Sequence, residues 1–307
     1  MQNLKLKKEL QKDSGFVKGH RTCSGCGIPQ IVRTILRASD KPVVVINATG
    51  CLEVTSTIYP YTSWNVPYLH SLFANAASTA SGVEAAFKAL MKQKKIKDDV
   101  NIVVFGGDGG SYDIGLQALS GAMERRHNML FVCYDNAAYM NTGIQRSSAT
   151  PYGAWTTTSE VGKVQKGKEL FKKDLTKIMV AHELSYIAQA AVHDYSDLFA
   201  KAKKAFSLDG PKFMNVLQPC VVGWKFYSFD AINISKLAVE TRFWPLYEVV
   251  EGEYKLNYKP SKIVPIKEFL MLQKRFKHVL KDETLMKNIQ DRVEFKWKEI
   301  LKLCGEN

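Results

Sequence analysis

No run of apolar residues in the 307-residue chain approaches the roughly 18 that a membrane-spanning helix needs. The opening stretch, MQNLKLKKELQKDSG, is basic but holds no apolar h-region, so no secretory leader is expected and the cytoplasm is the expected compartment. Internal repeats and low-complexity tracts are missing as well. With hydrophobic residues at 46% and charged residues at 24%, intrinsic disorder and collagen-like architecture are excluded. Cysteine is scarce: six residues, at 23, 26, 51, 133, 220 and 304. That is too few for a disulfide-stapled scaffold, and in a reducing compartment it points to metal binding or burial. No zinc-finger spacing, basic zipper or ribonucleoprotein-type aromatic motif accompanies the net charge of +13, so neither nucleic acid nor membrane is an expected partner. The basic residues are densest at 163–177 (Lys163, Lys166, Lys168, Lys172, Lys173, Lys177) and in the tail, where eleven Lys/Arg face seven Asp/Glu from 262 onward. A solvated cationic surface is the first expectation, and a docking face for an acidic partner the second.

What is present reads as alternating strands and helices. Val43-Val44-Val45-Ile46, Ile102-Val103-Val104-Phe105 and Met129-Leu130-Phe131-Val132-Cys133-Tyr134 are short β-branched or apolar runs that suit buried parallel strands. Two further strand candidates, 186–192 and 212–218, alternate with helical patterns at 174–183 and 195–206. Gly27-Ile28-Pro29 opens a helix with Ile31, Ile35 and Leu36 on one face, and a second helix, about 72–93, is rich in small residues. The expected fold is therefore α/β, a mostly parallel sheet flanked by helices, with right-handed crossovers. Segment 141–173 lacks periodicity and is expected to be a functional or mobile loop. Two amphipathic helices are expected in the tail, one on Phe269, Leu272, Phe276 and Leu280, the other on Leu285, Ile289, Val293, Trp297 and Ile300. The expected division is an α/β domain over 1–260 and a helical extension over 261–307.

The chemistry gathers where strands end. Gly107-Asp108-Gly109 stands between a strand and a helix, where glycines let backbone N–H groups close on a phosphate. Asp108 offers a hard oxygen, and the next strand delivers a second in Asn136. Magnesium prefers few protein ligands plus phosphate oxygens, so Asp108, Asn136, the Ala138 carbonyl and two diphosphate oxygens would nearly fill its sphere. GxGxxG is absent from 106–111, which argues against a nicotinamide fingerprint. This GDG-to-Asn pattern resembles the thiamine-diphosphate motif.

Cys23-Ser24-Gly25-Cys26-Gly27 is a CxxC, with Cys51 following in Ala48-Thr49-Gly50-Cys51 and Cys220 in Gln218-Pro219-Cys220. A CxxC alone fits a redox pair, half a zinc site or chance; four thiolates suit structural zinc or an iron–sulfur cluster. Cys133 reads as a core residue, and Cys304 has no visible role.

A thiamine motif and four such cysteines in one chain resemble the 2-oxoacid:ferredoxin oxidoreductase family, in the thiamine-diphosphate-binding beta subunit of its pyruvate branch. The similarity runs from Gly19-His20-Arg21-Thr22-Cys23 through Gly50-Cys51-Leu52-Glu53-Val54, Gly107-Asp108-Gly109-Gly110-Ser111-Tyr112-Asp113-Ile114-Gly115 and Tyr134-Asp135-Asn136-Ala137-Ala138-Tyr139-Met140-Asn141-Thr142-Gly143 to Pro219-Cys220 and Leu246-Tyr247-Glu248-Val249. The resemblance implies a thiamine-diphosphate-binding fold. It implies a 4Fe–4S cluster on Cys23, Cys26, Cys51 and Cys220, and Mg²⁺ on Asp108, Asn136 and Ala138. Around the cofactor it places Gly25, Cys26, Gly27, Gly50, Gly107, Gly109, Gly110, Ser111 and Met140, with Asn75 and its small-residue helix beneath. Asn141 would lie near the thiazolium and the bound 2-oxoacid, and His20 could reach substrate.

The implied reaction is oxidative decarboxylation of pyruvate with coenzyme A, electrons passing through the cluster to ferredoxin. A branched-chain 2-oxoacid or oxalate is the alternative substrate, and a zinc-stabilised basic binding protein the alternative of another class. Only one βαβ nucleotide core is visible, and Glu53 and Glu124 read as surface or capping residues. An alpha subunit is therefore expected to supply the pyrimidine-binding domain and the activating glutamate, with gamma and ferredoxin-like delta subunits beside it. Two departures stand out: Ala137 where the family often has an acidic residue, and Val221-Val222-Gly223-Trp224 in place of Pro-Thr-Gly-Trp. Neither removes a ligand, but both leave the substrate open.

Overall fold

The computed structural model describes residues 13–306, so the basic stretch at 1–12 lies outside the described residues. Eight strands form one sheet: β1 Val43–Ala48, β2 Tyr68–Ser71, β3 Asn101–Gly107, β4 Leu130–Asp135, β5 Tyr186–Ala191, β6 Lys212–Leu217, β7 Tyr247–Val250 and β8 Glu253–Leu256, in the order β2-β1-β3-β4-β6-β5-β7-β8. The first six are parallel. Helix α1 Ile28–Arg37 precedes the strands, α2 Cys51–Ser56, α3 Ala76–Lys92, α4 Leu116–Glu124, α5 Leu175–Val180, α6 Tyr195–Phe206, α7 Val221–Trp224 and α8 Ala231–Glu240 lie between them, and α9 Ile266–Met271 and α10 Glu283–Leu303 form the tail.

The apolar runs are continuous because both faces of the sheet are covered. Val43, Val45, Val103, Phe105 and Val132 point into one core with α1 and α6. Their neighbours Val44, Ile46, Ile102, Val104 and Phe131 point into the other with α3 and α4. The strand expectations over 43–46, 102–105 and 129–134, and at 186–192 and 212–218, match β1, β3, β4, β5 and β6. The sequence reading did not foresee β2 or the antiparallel edge: β7 pairs antiparallel with β5, and β8 with β7. That hairpin turns on Glu251 (φ 51) and Gly252 (φ 86), two successive left-handed residues of the kind a two-residue hairpin demands. Among the described residues, no helix is long and apolar enough to cross a membrane.

The first tail pattern is not one helix. After α9 the chain breaks at Gln273, whose side chain donates to the Phe269 carbonyl (2.7 Å), and two 3-10 turns follow at Lys274–Phe276 and Val279–Lys281. The second pattern holds as α10, with Leu285, Ile289, Val293 and Trp297 buried. Tail and sheet share a third apolar cluster, in which Phe269, Phe276 and Ile289 pack with Ala137, Leu217 and Trp224. Phe269 is fully buried, 5.0 Å from the Phe243 ring and 6.1 Å from Trp224. Phe269→Ala is expected to destabilise the chain by about 3–5 kcal/mol, read as a lower denaturant midpoint. A change below about 1 kcal/mol would show that the tail is not part of the cooperative fold.

The strand order turns at β1. From there the chain goes outward to β2 and then returns to β3 and β4 on the other side. In open α/β sheets ligands bind at such a reversal, outside the carboxyl ends of the strands.

Candidate active site

A cleft opens there. Thr49, Gly50 and Cys51 enter it after β1, Gly107 at the end of β3 with Asp108 and Gly109 following, and Asn136, Ala138, Met140 and Asn141 after β4. Phe73 and Tyr139, rings 5.6 Å apart and edge-to-face, close its apolar side. Gly109 must be glycine because a Cβ would sit 2.4 Å from the Tyr139 ring. Gly110 and Ser111 lie buried behind the cleft in the turn Gly109–Asp113, and the Ser111 hydroxyl donates to the Gly107 carbonyl at 2.8 Å. Asn75 precedes α3, makes no side-chain cap and does not line the cleft.

Three polar groups meet at the cleft floor: the Asp108 carboxylate, the Asn136 carboxamide and the Ala138 carbonyl. One terminal atom of the Asn136 carboxamide lies 2.9 Å from both Asp108 Oδ1 and the Ala138 carbonyl oxygen. With nitrogen there, the amide donates to both; with oxygen there, it completes a set of three acceptors. Ligands at adjacent corners of a Mg²⁺ octahedron, about 2.0–2.1 Å from the ion, stand roughly 3 Å apart. Ala137 makes the convergence possible: its left-handed backbone (φ 66) turns the residues on either side back toward Asp108. The Asp135 carboxylate accepts from its N–H (3.0 Å) and the Thr150 hydroxyl donates to its carbonyl (2.7 Å).

Asp108 is fully buried. Burial, and then the negative charge of Asp135, hold its carboxyl well above the usual carboxylate range. Ser147 donates to Oδ2 at 2.5 Å and the Asn136 N–H to Oδ1 at 3.3 Å. Asp135 has its own cation, Lys172, and accepts from the Tyr112 hydroxyl at 2.7 Å. Among the described residues Asp108 pairs with no cation, so the donor set fits a divalent ion.

Segment 141–173 is the wall that supports this floor. Ser147 and Lys172 belong to it, and Lys168 fastens it by donating to the carbonyls of Ser147, Ser148 and Thr150 (3.3, 3.1 and 2.6 Å). Burial brings Lys168 down to about 8. The cationic surface expected at 163–177 holds for Lys163, Lys166 and Lys177, which are exposed, and fails for Lys168, which is buried, and in part for the half-buried Lys172 and Lys173. Lys168, Lys172, Lys173 and Lys177 are spent on internal carbonyls and on Asp135, Asp113 and Glu299. Sequence reasoning missed Ser147 and Lys172 because neither carries a local pattern.

Cys133 is buried in β4, while Cys23 is exposed and Cys26, Cys51 and Cys220 are half-buried, all with their thiols free. The turn from Cys23 to Cys26 is closed by the Cys26 N–H on the Cys23 carbonyl (3.0 Å). It passes through Gly25 (φ 78), where a Cβ would meet the Ser228 carbonyl at 2.5 Å. Gly27 packs on Val192, which a Cβ would approach to 2.9 Å. Cys220 starts α7 and its sulfur accepts from the Gly223 N–H at 3.3 Å. Burial first, and then the neighbouring thiols, push Cys26 and Cys51 up to about 12. All four are thus within electrostatic reach of one another. Among the described residues, no three His, Cys, Asp or Glu side chains converge on a single ion.

Cys51 joins the two regions, since it lines the cleft that Asp108 floors. Met140 presses on Gly223 so closely that a Cβ there would meet its sulfur at 2.1 Å, and Trp224 Nε1 donates to the Asn136 carbonyl at 2.7 Å. These contacts explain why Gly223 and Trp224 stand where the preceding two residues depart from the family pattern. His20 lies outside the cleft. It stacks on Phe16 (5.4 Å), shares a proton with the Thr22 hydroxyl (2.9 Å) and is lowered by burial and then by Arg33. It lines a separate cavity with Cys23, Cys26 and Arg33.

Comparison with known proteins adds an independent line. Residues 48–216 match the thiamine pyrophosphate enzyme C-terminal TPP-binding domain. Pyruvate synthase subunit PorB of Methanocaldococcus jannaschii is 50% identical over 292 residues, covering 94% of this chain and 97% of that one. Ketoisovalerate oxidoreductase subunit VorB of Pyrococcus horikoshii is 40% identical over 305 residues, covering 99% of this chain and 97% of the relative. Among solved structures, 2-oxoglutarate:ferredoxin oxidoreductase from Magnetococcus marinus, with 2-oxoglutarate, coenzyme A and succinyl-CoA bound, superposes with a TM-score of 0.56 at 21% identity. It covers 71% of this chain and 77% of that one, a likeness of fold.

Proposed function

Since this chain belongs to the 2-oxoacid:ferredoxin oxidoreductases, as a thiamine-diphosphate-binding subunit of the PorB type, we propose that its substrate is pyruvate, taken with coenzyme A to acetyl-CoA and CO2. It is a subunit of a hetero-oligomeric enzyme. The observation that carries the fuller reading is the meeting of Cys51 and the Asp108–Asn136–Ala138 oxygens in one cleft. Thiamine diphosphate, when bound, supplies the nucleophilic carbon and the electron sink for loss of CO2.

The chain's own residues do the rest. Asp108, Asn136 and the Ala138 carbonyl would hold a Mg²⁺ that ties down the diphosphate, with Ser147 fixing which Asp108 oxygen faces it. Phe73 and Tyr139 keep water from the apolar side. Asn141, exposed at the mouth, offers its amide to the oxoacid. Cys23, Cys26, Cys51 and Cys220 would hold a 4Fe–4S cluster that carries electrons toward ferredoxin. An alpha subunit would complete the site with the pyrimidine-binding domain and its glutamate, and gamma and delta subunits would complete a cytoplasmic assembly. The VorB relative makes a branched-chain 2-oxoacid the alternative substrate.

Iron, acid-labile sulfide and zinc are measured on the anaerobically purified complex. About four irons and four sulfides attributable to this chain are expected. Zinc without sulfide, in material never exposed to air, would break the electron-transfer reading.

A further inference from the structure

We propose that Arg275 is the buried counter-charge of the group held by the four thiols, a fixed cation lying on Trp224 at the end of the Cys220 turn that makes that group easier to reduce. The proposal rests on the reading that Cys23, Cys26, Cys51 and Cys220 hold an iron–sulfur cluster.

Arg275 is 2% exposed. Its Nε donates to Gln273 Oε1 at 3.0 Å, while Nη2 is buried with no partner. Among the described residues, no carboxylate forms an ion pair with it. A guanidinium buried without an anion is strongly unfavourable, and burial drags Arg275 down to about 9. The charges that restore it are Cys220 first, then Asp135 and Asp108. Asp135 is already neutralised by Lys172, and the geometry around Asp108 fits a divalent ion. The guanidinium lies on Trp224, whose backbone N–H is bonded to the Cys220 carbonyl, and that contact sets it on the thiol side of the site.

Rigid contacts fix the cation there. Its plane lies 3.8 Å over the Trp224 ring. The Trp224 backbone N–H donates to the Cys220 carbonyl at 2.9 Å, and its indole N–H to the Asn136 carbonyl at 2.7 Å. On the other side, the Arg275 carbonyl accepts from the Trp155 N–H at 3.1 Å. A cluster held by four thiolates is anionic, and one-electron reduction adds a further negative charge while no bond forms and no proton moves. A nearby fixed cation favours the reduced form. Arg275 stays protonated throughout and touches neither substrate nor cofactor; it is a positioning residue for charge.

The test is a redox titration of the assembled complex, following the paramagnetic signal of the reduced cluster, with Arg275→Gln and Arg275→Lys beside the wild type. This chain's cluster is identified as the signal absent from a Cys220→Ala complex. Arg275→Gln is expected to disfavour reduction at least tenfold, about 59 mV for one electron, and Arg275→Lys to restore most of it. Loss of iron from the Gln variant but not the Lys variant would equally support the proposal. Wild-type potential in both, or loss of iron from both, would reduce Arg275 to packing on Trp224 and overturn it. A wild-type complex with no iron or sulfide would instead refute the reading on which the proposal rests.

Discussion

Asp108→Ala is expected to abolish Mg²⁺-dependent binding of thiamine diphosphate, weakening it at least about a hundredfold, while leaving the chain folded and in its complex. The loss is large because Asp108 is the only carboxylate in the three-oxygen set. Even residues one layer behind a metal are typically worth about ten- to a hundredfold in affinity or activity. The fold should tolerate the change because Asp108 is not held by a cation of its own. Burial and Asp135 both act against its charge, and Ser147, left behind, still has the Thr150 hydroxyl at 3.4 Å. Equilibrium dialysis of the cofactor with and without Mg²⁺, beside a thermal melt of the cofactor-free complex, separates the two effects. Binding within a few-fold of wild type would remove Asp108 from the metal site. A collapsed melt would make it a structural residue instead.

Cys220→Ala is expected to do the converse. Iron and sulfide attributable to this chain should fall to background and electron delivery to ferredoxin should drop at least about a hundredfold. Thiamine-diphosphate affinity should stay within a few-fold, because Cys220 lies outside the cofactor cleft. The sulfur accepts from backbone N–H groups of Gly223 and Val222 at the start of a four-residue helix and from no side chain among the described residues, so alanine costs little in folding. Full retention of iron and sulfide would strike Cys220 from the ligand set. Loss of cofactor binding as well would show that α7 supports the cleft through Trp224 and Met140 rather than the thiol set alone.

The fold was legible wherever chemistry is local. β-branched runs marked the central strands, and glycine next to aspartate at a strand end marked the cleft floor. CxxC and the later Gly-Cys and Pro-Cys pairs marked the thiols. What could not be read came from long-range contacts. Ser147 reaches Asp108 across 39 residues, and Lys172 reaches Asp135 across 37. The Arg275 guanidinium stacks on Trp224 from a tail that looked like plain amphipathic helix. The tail pattern misled because Gln273 and Arg275 turn inward, where a continuous helix would have kept Arg275 in solvent. The antiparallel hairpin escaped notice because its turn, Glu251-Gly252, is not an Asn-Gly or Asp-Gly pair. His20 and Asn75 looked well placed along the chain, yet neither lines the cleft.

The sheet order has a consequence for how the molecule is made. While the chain grows, β1 to β4 can pair as a block, but β5 has no parallel neighbour, because the position between β4 and β5 belongs to β6. β6 ends at Leu217, and Cys220 follows three residues later. The strand that joins β5 to the block is therefore followed at once by the last of the four thiols, after more than two-thirds of the 307 residues have been synthesised. Cys23, Cys26 and Cys51 leave the ribosome early and wait. The thiol set is thus complete only once the six parallel strands have been made, and a ribosome stalled between Cys51 and β6 releases a chain that carries three members of the set and lacks the fourth.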